Sequence, residues 1–455
     1  MTKATLDHIY SCFLQSTEVC TDTRQLSPGC FFIALTGENF NGNTFVAQAL
    51  ESGAKFVLMD DQALSTSESL DSFRDQILLV DNTLTALQDL AKHHRRTLDL
   101  PILALTGSNG KTTTKELLHA ALSKKYRCMA TLGNLNNHIG VPLTLLRMNH
   151  TTELGIVEMG ANHQKEIAFL CQIAEPNFGY ITNYGKAHLE GFGGVEGVIK
   201  GKSELIDYLQ TTDGHMFVQS TDAEQIKRTN TLQRTVLNAD QQWQVTDQNS
   251  ASQKSKQNNL SQQNLSVSGP QGTLQTQLVG AYNTANIIAA VEIAAYFKVS
   301  WSDVKSALTD YIPQMNRSQP LRRESYELIM DAYNANPSSI EAALSHFAQT
   351  TTKGAKTVIL GDMFELGQHA QREHQLIVER AQALGFDRIY LSGANFYKTS
   401  HDPDQSACFL DYSALEEHLL ADPPPPGTIL IKGSRGMALE RLLHTVFKTD
   451  SSASN

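Results

Sequence analysis

The sequence predicts an α/β protein of three domains: a small α/β N-terminal domain, a central domain with a mostly parallel sheet of the P-loop ATPase type, and a C-terminal Rossmann-like domain. The chain has 455 residues, which corresponds to about three domains of roughly 150 residues each. Short apolar strands alternate with helical patterns along most of it. One strand, residues 102–105, runs into a glycine loop and a helix, as phosphate-binding loops do. We place the domains at 1–82, 83–312 and 313–455.

Charge and cysteine usage narrow the functional classes. The net charge is −10, from 37 basic and 47 acidic residues, which argues against a nucleic-acid-binding protein because such a protein needs a basic face. The six cysteines are scattered and form no C-x-x-C pair, so free thiols in a reducing compartment are expected. No signal peptide or membrane-spanning stretch is evident. We expect a cytoplasmic protein that does not insert into membranes and is a monomer.

The N-terminal domain is predicted from three strands, at residues 30–35, 55–59 and 77–80. Polar residues flank the first strand at 21–24 and 36–43. They suit either a ligand-binding mouth or ordinary surface turns. The pair Asp81-Asn82 is predicted to cap the helix that leads into the central domain and runs to about Arg96.

The central domain opens with the segment TGSNGKTT at residues 106–113. Gly107 and Gly110 allow the backbone to approach a phosphate closely. Lys111 would reach the β- and γ-phosphates, and the Thr112 hydroxyl would bind Mg²⁺. The loop is shorter than the common pattern, since Leu105 stands where that pattern has a glycine. An ordinary glycine turn before a helix is the alternative.

Three further strand ends or loops of the central domain carry polar groups. Residues 133–142 are rich in glycine and asparagine, which suits a loop that bonds its own backbone or one that grips a polar substrate. Glu158 ends a buried strand and could be a second Mg²⁺ ligand. His188 follows the strand at 180–183 in a glycine-rich loop, where it could bind metal or phosphate or be structural.

Residues 241–272 are rich in Gln, Ser and Asn with few large apolar side chains. We predict a surface excursion without chemistry there. The third domain shows strands at 328–330, 357–360, 388–391 and 428–431, each followed by polar or glycine residues. Helical segments between them predict a parallel sheet covered by helices.

Taken together, these segments resemble the Mur ligase family, whose ATP loop the folylpolyglutamate synthetases share. The resemblance is carried by Asn183 and by residues 106–113 (TGSNGKTT), 133–137 (GNLNN), 187–193 (AHLEGFG), 331–337 (DAYNANP), 361–367 (GDMFELG) and 432–437 (KGSRGM). It implies an N-terminal domain for the UDP end of the substrate, a central ATPase, and a C-terminal domain that closes over it.

The resemblance further implies ATP-dependent ligation of D-Ala-D-Ala to UDP-N-acetylmuramoyl-tripeptide, a step of peptidoglycan synthesis. ATP would phosphorylate the free carboxylate, and the amine of D-Ala-D-Ala would attack the acyl phosphate. The cofactors implied are ATP, two Mg²⁺ ions and a carbamylated lysine. This chemistry brings two anions together, so Lys111 and Mg²⁺ would supply most of the stabilisation.

Residue roles follow from the same resemblance. The catalytic residues implied are Lys111, Lys202, His188 and Asn134. The ATP-binding residues implied are Gly107, Ser108, Asn109, Gly110, Lys111, Thr112, Thr113, Asn283, Asn286, Arg317, Asp331, Tyr333 and Asn336. The UDP-peptide would meet Thr23, Arg24, Asn134, Asn137 and His138. The metal ligands implied are Thr112, Glu158, His188 and, as its carbamate, Lys202.

Some positions depart from the family pattern. Ser203 follows Lys202 where a glycine is usual, and Lys200 is a rival for carbamylation. His138 stands where an acidic residue is common. Residues 41–43 (NGN) replace a more usual Asp-Gly-His.

Two alternative functions stay open at this stage. One is another carboxylate–amine ligase of the superfamily, adding a diamino acid or a glutamate; residues 331–337 argue against it, because the sister ligases usually carry a histidine there. The other is a nucleotide-dependent switch that makes no bond. The third residue of the tripeptide, diaminopimelate or lysine, and the resting domain arrangement are also left open.

Overall fold

The computed structural model describes residues 2–238, 240, 242–246, 264–313, 319–323, 325–352 and 354–448. Three α/β units follow one another along the chain, each built on its own sheet. Within the described part of the chain, no helix is long and apolar enough to cross a membrane. The domain boundaries proposed above stay predictions.

The N-terminal unit has a four-stranded parallel sheet in the order β1-β2-β5-β6, with β3 and β4 forming a separate antiparallel pair. Its elements are α1 (Leu6–Leu14), β1 (Val19–Cys20), β2 (Phe31–Ile33), β3 (Thr36–Gly37), β4 (Phe40–Asn41), α2 (Val46–Glu51), β5 (Phe56–Met59) and β6 (Ile77–Leu79). Helix α3 (Thr83–Leu98) then leads into the central unit. The Asn82 side chain accepts a hydrogen bond from Thr85 N–H at 2.8 Å, which confirms the predicted cap.

The central unit holds a six-stranded parallel sheet in the order β12-β11-β10-β7-β9-β8. Its elements are β7 (Ile102–Thr106), α4 (Lys111–Leu122), β8 (Cys128–Ala130), α5 (Gly140–Leu146), β9 (Leu154–Glu158), α6 (Glu166–Ala174), β10 (Phe178–Ile181), α7 (Leu189–Phe192), α8 (Val195–Thr211), β11 (His215–Gln219), α9 (Ala223–Arg228), β12 (Gln233–Leu237), β13 (Gln244–Thr246), β14 (Ser266–Gly269), β15 (Gly272–Gln275), α10 (Thr284–Tyr296) and α11 (Trp301–Asp310).

Strand β7 is buried on both faces, which explains its continuous apolar sequence. Ile102 and Ala104 pack into the core on the side of α3, α5, α6 and α8, whereas Leu103 and Leu105 pack against α4 and α10. Because β7 lies between β9 and β10, the segments that follow these three strands meet at one edge of the sheet.

The prediction for residues 241–272 is wrong at both ends of that stretch. Strands β13, β14 and β15 form an antiparallel sheet, and Trp243, Leu265 and Val267 are buried in the core beside α10 and α11. Three large side chains anchor the sheet although the stretch as a whole is polar. Residues 247–263, also part of the prediction, lie outside the described residues.

The third unit has a six-stranded sheet in the order β16-β17-β21-β18-β19-β20, parallel except for β16. Its elements are β16 (Gln319–Arg323), β17 (Tyr326–Asp331), α12 (Pro337–Gln349), β18 (Ala355–Gly361), α13 (Ala370–Ala383), β19 (Arg388–Ser392), β20 (Ser406–Phe409), α14 (Tyr412–Ala421), β21 (Gly427–Lys432) and α15 (Leu442–Thr445). The four predicted strands are confirmed. The two edge strands, β16 and β20, were missed because edge strands carry polar residues and lack a clear apolar run.

Candidate active site

The phosphate loop joins β7 to α4 and is shaped by two glycines. Gly107 has φ +137° and Gly110 has φ +80°, values that side chains rarely permit. A Cβ atom at Gly107 would lie 2.0 Å from Thr182 Oγ1. Lys111 Nζ bends back over the loop and donates to the carbonyl oxygens of Gly107 at 2.6 Å and Ser108 at 3.2 Å. The loop therefore leads into the start of α4, where the first backbone N–H groups of the helix and Lys111 lie together, the arrangement that binds phosphate.

Asn183, after β10, holds this loop in place. Its side-chain oxygen accepts from Asn109 N–H at 3.1 Å, its amide donates to Asn109 O at 3.0 Å, and its carbonyl accepts from Ser108 N–H at 3.0 Å. The loop is thus preorganised by the neighbouring strand.

Glu158, at the end of β9, lies beside the loop as predicted. Its Oε1 accepts hydrogen bonds from Thr112 Oγ1 at 3.1 Å and Asn136 Nδ2 at 2.8 Å. Its Oε2 is buried without a hydrogen-bond partner among the described residues, although buried carboxylate oxygens are usually paired. An oxygen of this kind, next to a threonine hydroxyl, fits a hard cation such as Mg²⁺.

Within the described ranges, no group of three or more His, Cys, Asp or Glu side chains could hold a metal by itself.

The asparagine-rich loop at 133–138 forms another wall. Fully buried Lys115 supports it, donating from Nζ to Thr131 O at 2.6 Å and Gly133 O at 3.3 Å. The side chain of Asn137 binds the start of α5, because its oxygen accepts hydrogen bonds from the N–H groups of Ile139 and Gly140. Asn136, the asparagine of this loop that reaches Glu158, was not among the predicted site residues. The sequence contains no signal that distinguishes it from its neighbours Asn134 and Asn137.

Lys202, on α8, is 1% exposed, whereas Lys200 is exposed. Lys202 Nζ donates to Ala161 O at 3.1 Å and lies 5.0 Å from the centroid of the Phe192 ring. Burial, and then the positive charge of Lys111, lower the pKa of Lys202 well below its usual value. The neutral amine is therefore favoured relative to an exposed lysine.

Asn283 and Asn286 pack beneath the loop in one chain of hydrogen bonds. Thr114 Oγ1 donates to Asn286 Oδ1 at 3.1 Å, Asn286 Nδ2 to Asn283 Oδ1 at 2.9 Å, and Asn283 Nδ2 to Val279 O at 2.8 Å. Both asparagines line the cavity described below.

The third domain closes onto the loop through polar contacts. Asn336 Nδ2 donates to Asn109 Oδ1 at 2.7 Å. Deeper in the third domain, Lys432 Nζ donates to Asp331 Oδ2 at 2.6 Å, and the Arg435 guanidinium lies 5.2 Å from the centroid of the Tyr333 ring. The domain arrangement that the sequence left open is thus a closed one in this structure.

The segment after β10 makes a second set of contacts with the third domain. Lys186 N–H donates to Ser338 Oγ at 2.8 Å, and Lys186 Nζ to a Glu373 oxygen at 2.9 Å. His188 Nδ1 is in direct contact with a carboxylate oxygen of Glu365. This interaction lowers the pKa of Glu365 below its usual value.

Together these elements enclose a cavity of about 630 Å³, a size typical of small-molecule sites. The predicted residues that line it are Ser108, Asn109, Gly110, Lys111, Thr112, Thr113, Asn134, Asn137, His138, Glu158, His188, Asn283, Asn286, Asp331, Tyr333 and Asn336. The lining residues absent from the prediction include Asn136, Asn162, Glu166, Asn183, Tyr282 and Lys432.

The remaining predicted residues lie elsewhere. Gly107 and Lys202 do not line the cavity, although Ala161, the acceptor of Lys202, does. Thr23 and Arg24 form a short turn of the N-terminal domain away from the cavity wall, and Arg24 is paired with Asp22 at 2.7 Å. Arg317 lies outside the described residues.

Comparison with known proteins shows the family to which this chain belongs. Family models match in chain order: the Mur ligase family catalytic domain at 16–95, the Mur ligase middle domain at 105–294, and the Mur ligase glutamate ligase domain at 316–435. The UDP-N-acetylmuramoyl-tripeptide--D-alanyl-D-alanine ligase of Bacillus subtilis (strain 168) is 32% identical over 438 residues, covering 95% of this chain and 93% of that protein. The chain belongs to the Mur ligase family. The resemblance and the three-domain α/β fold predicted from the sequence are confirmed.

Other members of the family are similar over nearly the whole chain. The enzyme of the same name from Escherichia coli (strain K12) is 33% identical over 440 residues, 94% of this chain and 93% of that one. MurF from Acinetobacter baumannii superposes with a TM-score of 0.79 at 27% identity, covering 98% of this chain and 99% of that chain. MurF ligase from Thermotoga maritima, crystallised in complex with ADP, shares the fold with a TM-score of 0.78 at 23% identity, covering 95% of this chain and 97% of that one.

Proposed function

We propose that this chain uses ATP to join D-Ala-D-Ala to UDP-N-acetylmuramoyl-tripeptide, which yields the pentapeptide precursor of peptidoglycan. The observation that carries the proposal is the single cavity in which the phosphate loop, Glu158 and the third-domain residues Asp331 and Asn336 meet. The choice of substrates is supported by the Bacillus subtilis and Escherichia coli relatives, which match nearly the full chain.

The residues of the cavity suit each stage of such a ligation. Lys111 and the loop N–H groups at the start of α4 would hold the triphosphate in line with the attacking carboxylate. They would also stabilise the charge that develops as the γ-phosphoryl group moves to that carboxylate. The closed third domain, held by Asn336 against Asn109, would keep water from hydrolysing the acyl phosphate before the amine of D-Ala-D-Ala attacks.

We place the two expected Mg²⁺ ions at Thr112 with Glu158, and at His188 with the carbamate of Lys202. The buried, unpartnered Glu158 Oε2 supports the first of these sites. When bound, Mg²⁺ would supply positive charge between the triphosphate and the substrate carboxylate.

Carbamylation is proposed at Lys202 and not at Lys200. The neutral Lys202 amine would attack the carbon of CO₂, form the N–C bond and release one proton to water, leaving a carbamate with one negative charge. The lowered pKa of Lys202 favours the neutral amine that this step requires, and an exposed lysine such as Lys200 lacks that advantage.

Product analysis tests the proposal. The purified protein with ATP and Mg²⁺ is incubated with UDP-N-acetylmuramoyl-tripeptides that end in diaminopimelate or in lysine, with and without D-Ala-D-Ala. We expect phosphate release only when the UDP-tripeptide and D-Ala-D-Ala are both present. Mass spectrometry should then detect a pentapeptide product. Ligation of glutamate or a diamino acid instead would favour a sister ligase, and phosphate release without either acceptor would favour a nucleotide switch.

The proposal also includes action as a monomer, as expected from the sequence. Light scattering of the purified protein with and without nucleotide tests this point, and a stable dimer would contradict it.

A further inference from the structure

We propose that Glu365 of the third domain is a positioning residue for His188 and that domain closure delivers it. The proposal rests on the function proposed above. His188 Nδ1 and a Glu365 carboxylate oxygen are in direct contact across the interface between the central and third domains. His188 lines the cavity, whereas Glu365 has none of the roles assigned above.

The backbone indicates that this pairing is built into the fold. His188 has φ +52° and Glu365 has φ +60°, a left-handed conformation that is unfavourable for residues other than glycine. Such conformations persist where surrounding structure enforces them, and they cluster at functional sites. Here the interface supplies part of that enforcement, because Glu365 O accepts a hydrogen bond from Glu190 N–H at 3.2 Å. Backbone and side chain of Glu365 therefore both dock on residues 188–190.

A second close approach defines the same docking surface. Gly367 has φ +52°, and a Cβ atom there would lie 2.9 Å from Glu190 Cβ. Glycine thus lets residues 365–367 approach the start of α7. The backbone of residues 365–367 is thus packed against the start of α7, and it carries the half-exposed Glu365 side chain to His188.

The chemical consequence concerns the two ring nitrogens. A carboxylate at Nδ1 favours the form in which Nδ1 carries hydrogen, so the lone pair of a neutral ring is on Nε2. Partners of this kind orient histidines that bind metals or phosphates and set their tautomer. Because Glu365 belongs to the third domain, an open arrangement would take this carboxylate away from Nδ1. Closure would therefore complete the His188 side of the cavity at the same time as it brings Asn336 to the phosphate loop.

Lys186 and Glu373 provide a matched control. They form another ion pair between the same two domains, at 2.9 Å, from the same segment after β10. Glu373→Gln removes a carboxylate from the interface without touching His188. Any effect shared by Glu373→Gln and the Glu365 variants reports on closure in general, and an effect confined to Glu365 reports on His188.

The first readout needs neither metal nor substrate. In protein labelled with ¹⁵N-histidine, the His188 ring signals are assigned by their loss in His188→Gln, and the tautomer is read from the two nitrogen shifts. We expect the Nδ1–H form in wild type and in Glu373→Gln, and loss of that preference in Glu365→Ala. X-ray scattering should show equal compactness for all three. An unchanged His188 spectrum in a compact Glu365→Ala protein would overturn the proposal.

The second readout is turnover. We expect kcat to fall about 10- to 100-fold in Glu365→Ala, with less loss in Glu365→Gln, which keeps an acceptor oxygen, and with KM for both acceptors little changed. In a His188→Gln background, Glu365→Ala should cause no additional loss if it acts through His188. An equal loss in Glu373→Gln, or a full additional loss in the double variant, would refute the assignment. If the protein ligates other substrates, only the turnover assay changes and the tautomer result stands.

Discussion

Replacing Glu158 by glutamine should stabilise the nucleotide-free protein and remove most of its activity. Glu158 is 1% exposed, and its Oε1 accepts from Thr112 and Asn136 while Oε2 has no partner among the described residues. Glutamine keeps the shape and the Oε1 acceptor but removes the negative charge. The two effects have opposite signs because the charge is costly in the empty protein and useful only when a cation is bound.

The magnitude follows from two opposing contributions. Keeping an ion away from water costs several kcal/mol, and this cost disappears in Glu158→Gln. The hydrogen bonds from Thr112 and Asn136 weaken by about 1 kcal/mol each, because bonds to a charged acceptor are stronger than bonds to a neutral one. A net stabilisation of about 1–2 kcal/mol remains, which for a domain of this size raises the melting temperature by roughly 2–8 °C. Losing this proposed ligand of Mg²⁺ should lower kcat at least about 100-fold.

Calorimetry in EDTA measures the first effect, and ligase turnover in excess Mg²⁺ measures the second. Added Mg²⁺ and ADP should raise the melting temperature of the wild type but much less that of Glu158→Gln, since binding to the native state stabilises it. Glu153→Gln, a half-exposed carboxylate paired with Arg127, is the control and should change neither quantity much. Melting of Glu158→Gln below the wild type in EDTA, or turnover within about threefold of wild type, would refute the reasoning.

Three further predictions concern other parts of the site and the core. Gly107→Ala should abolish ADP binding in calorimetric titration, because its Cβ would lie 2.0 Å from Thr182 Oγ1; retained affinity would contradict the loop geometry. The Lys202→Ala variant should lose ligase activity and regain part of it when short carboxylic acids are added, whereas Lys200→Ala should stay active. The reverse pattern would assign the carbamate to Lys200. Burial lowers the pKa of His94 in the folded protein. As the pH falls below about 6.5, the unfolded chain therefore binds a proton at His94 that the folded protein does not bind. The free energy of unfolding decreases over this pH range as a result. Urea unfolding at pH 7.5 and 5.5 measures how much free energy of unfolding is lost between these pH values, and we expect a smaller loss in His94→Gln than in the wild type. Equal losses in the two proteins would contradict the assignment to His94.

The parts of the structure that depend on neighbours in sequence were predictable. Residues 102–122 combine an apolar strand, two glycines and a helical stripe, and the structure has β7, the loop and α4 in that order. Glu158 and Thr112 were predicted to share a site because the carboxyl ends of neighbouring parallel strands meet at one edge, and a hydrogen bond joins them. In each case a local pattern and a general rule of sheet topology were sufficient.

Features decided by partners distant in sequence were not predictable. Asn136 is singled out among its neighbours only by the course of a loop that buried Lys115 supports from α4. The pairing of His188 with Glu365 depends on how two domains meet, and nothing in either local sequence specifies it. Trp243 lies in a polar stretch, yet its ring packs against the ring of Trp301, with 5.7 Å between the two ring centroids. Isolated buried side chains of this kind leave no periodic pattern.

The hydrogen bonds of Asn109 make the phosphate loop and the third domain interdependent. Its backbone is held by Asn183 from the central sheet, and its side chain accepts from Asn336 of the third domain. A ligand shifts a conformational equilibrium only as far as it binds the two states differently. A nucleotide bound at the loop would also meet Asp331 and Asn336 of the third domain in the closed arrangement, so it would bind that arrangement more tightly than an open one. Nucleotide binding and closure are therefore expected to favour each other.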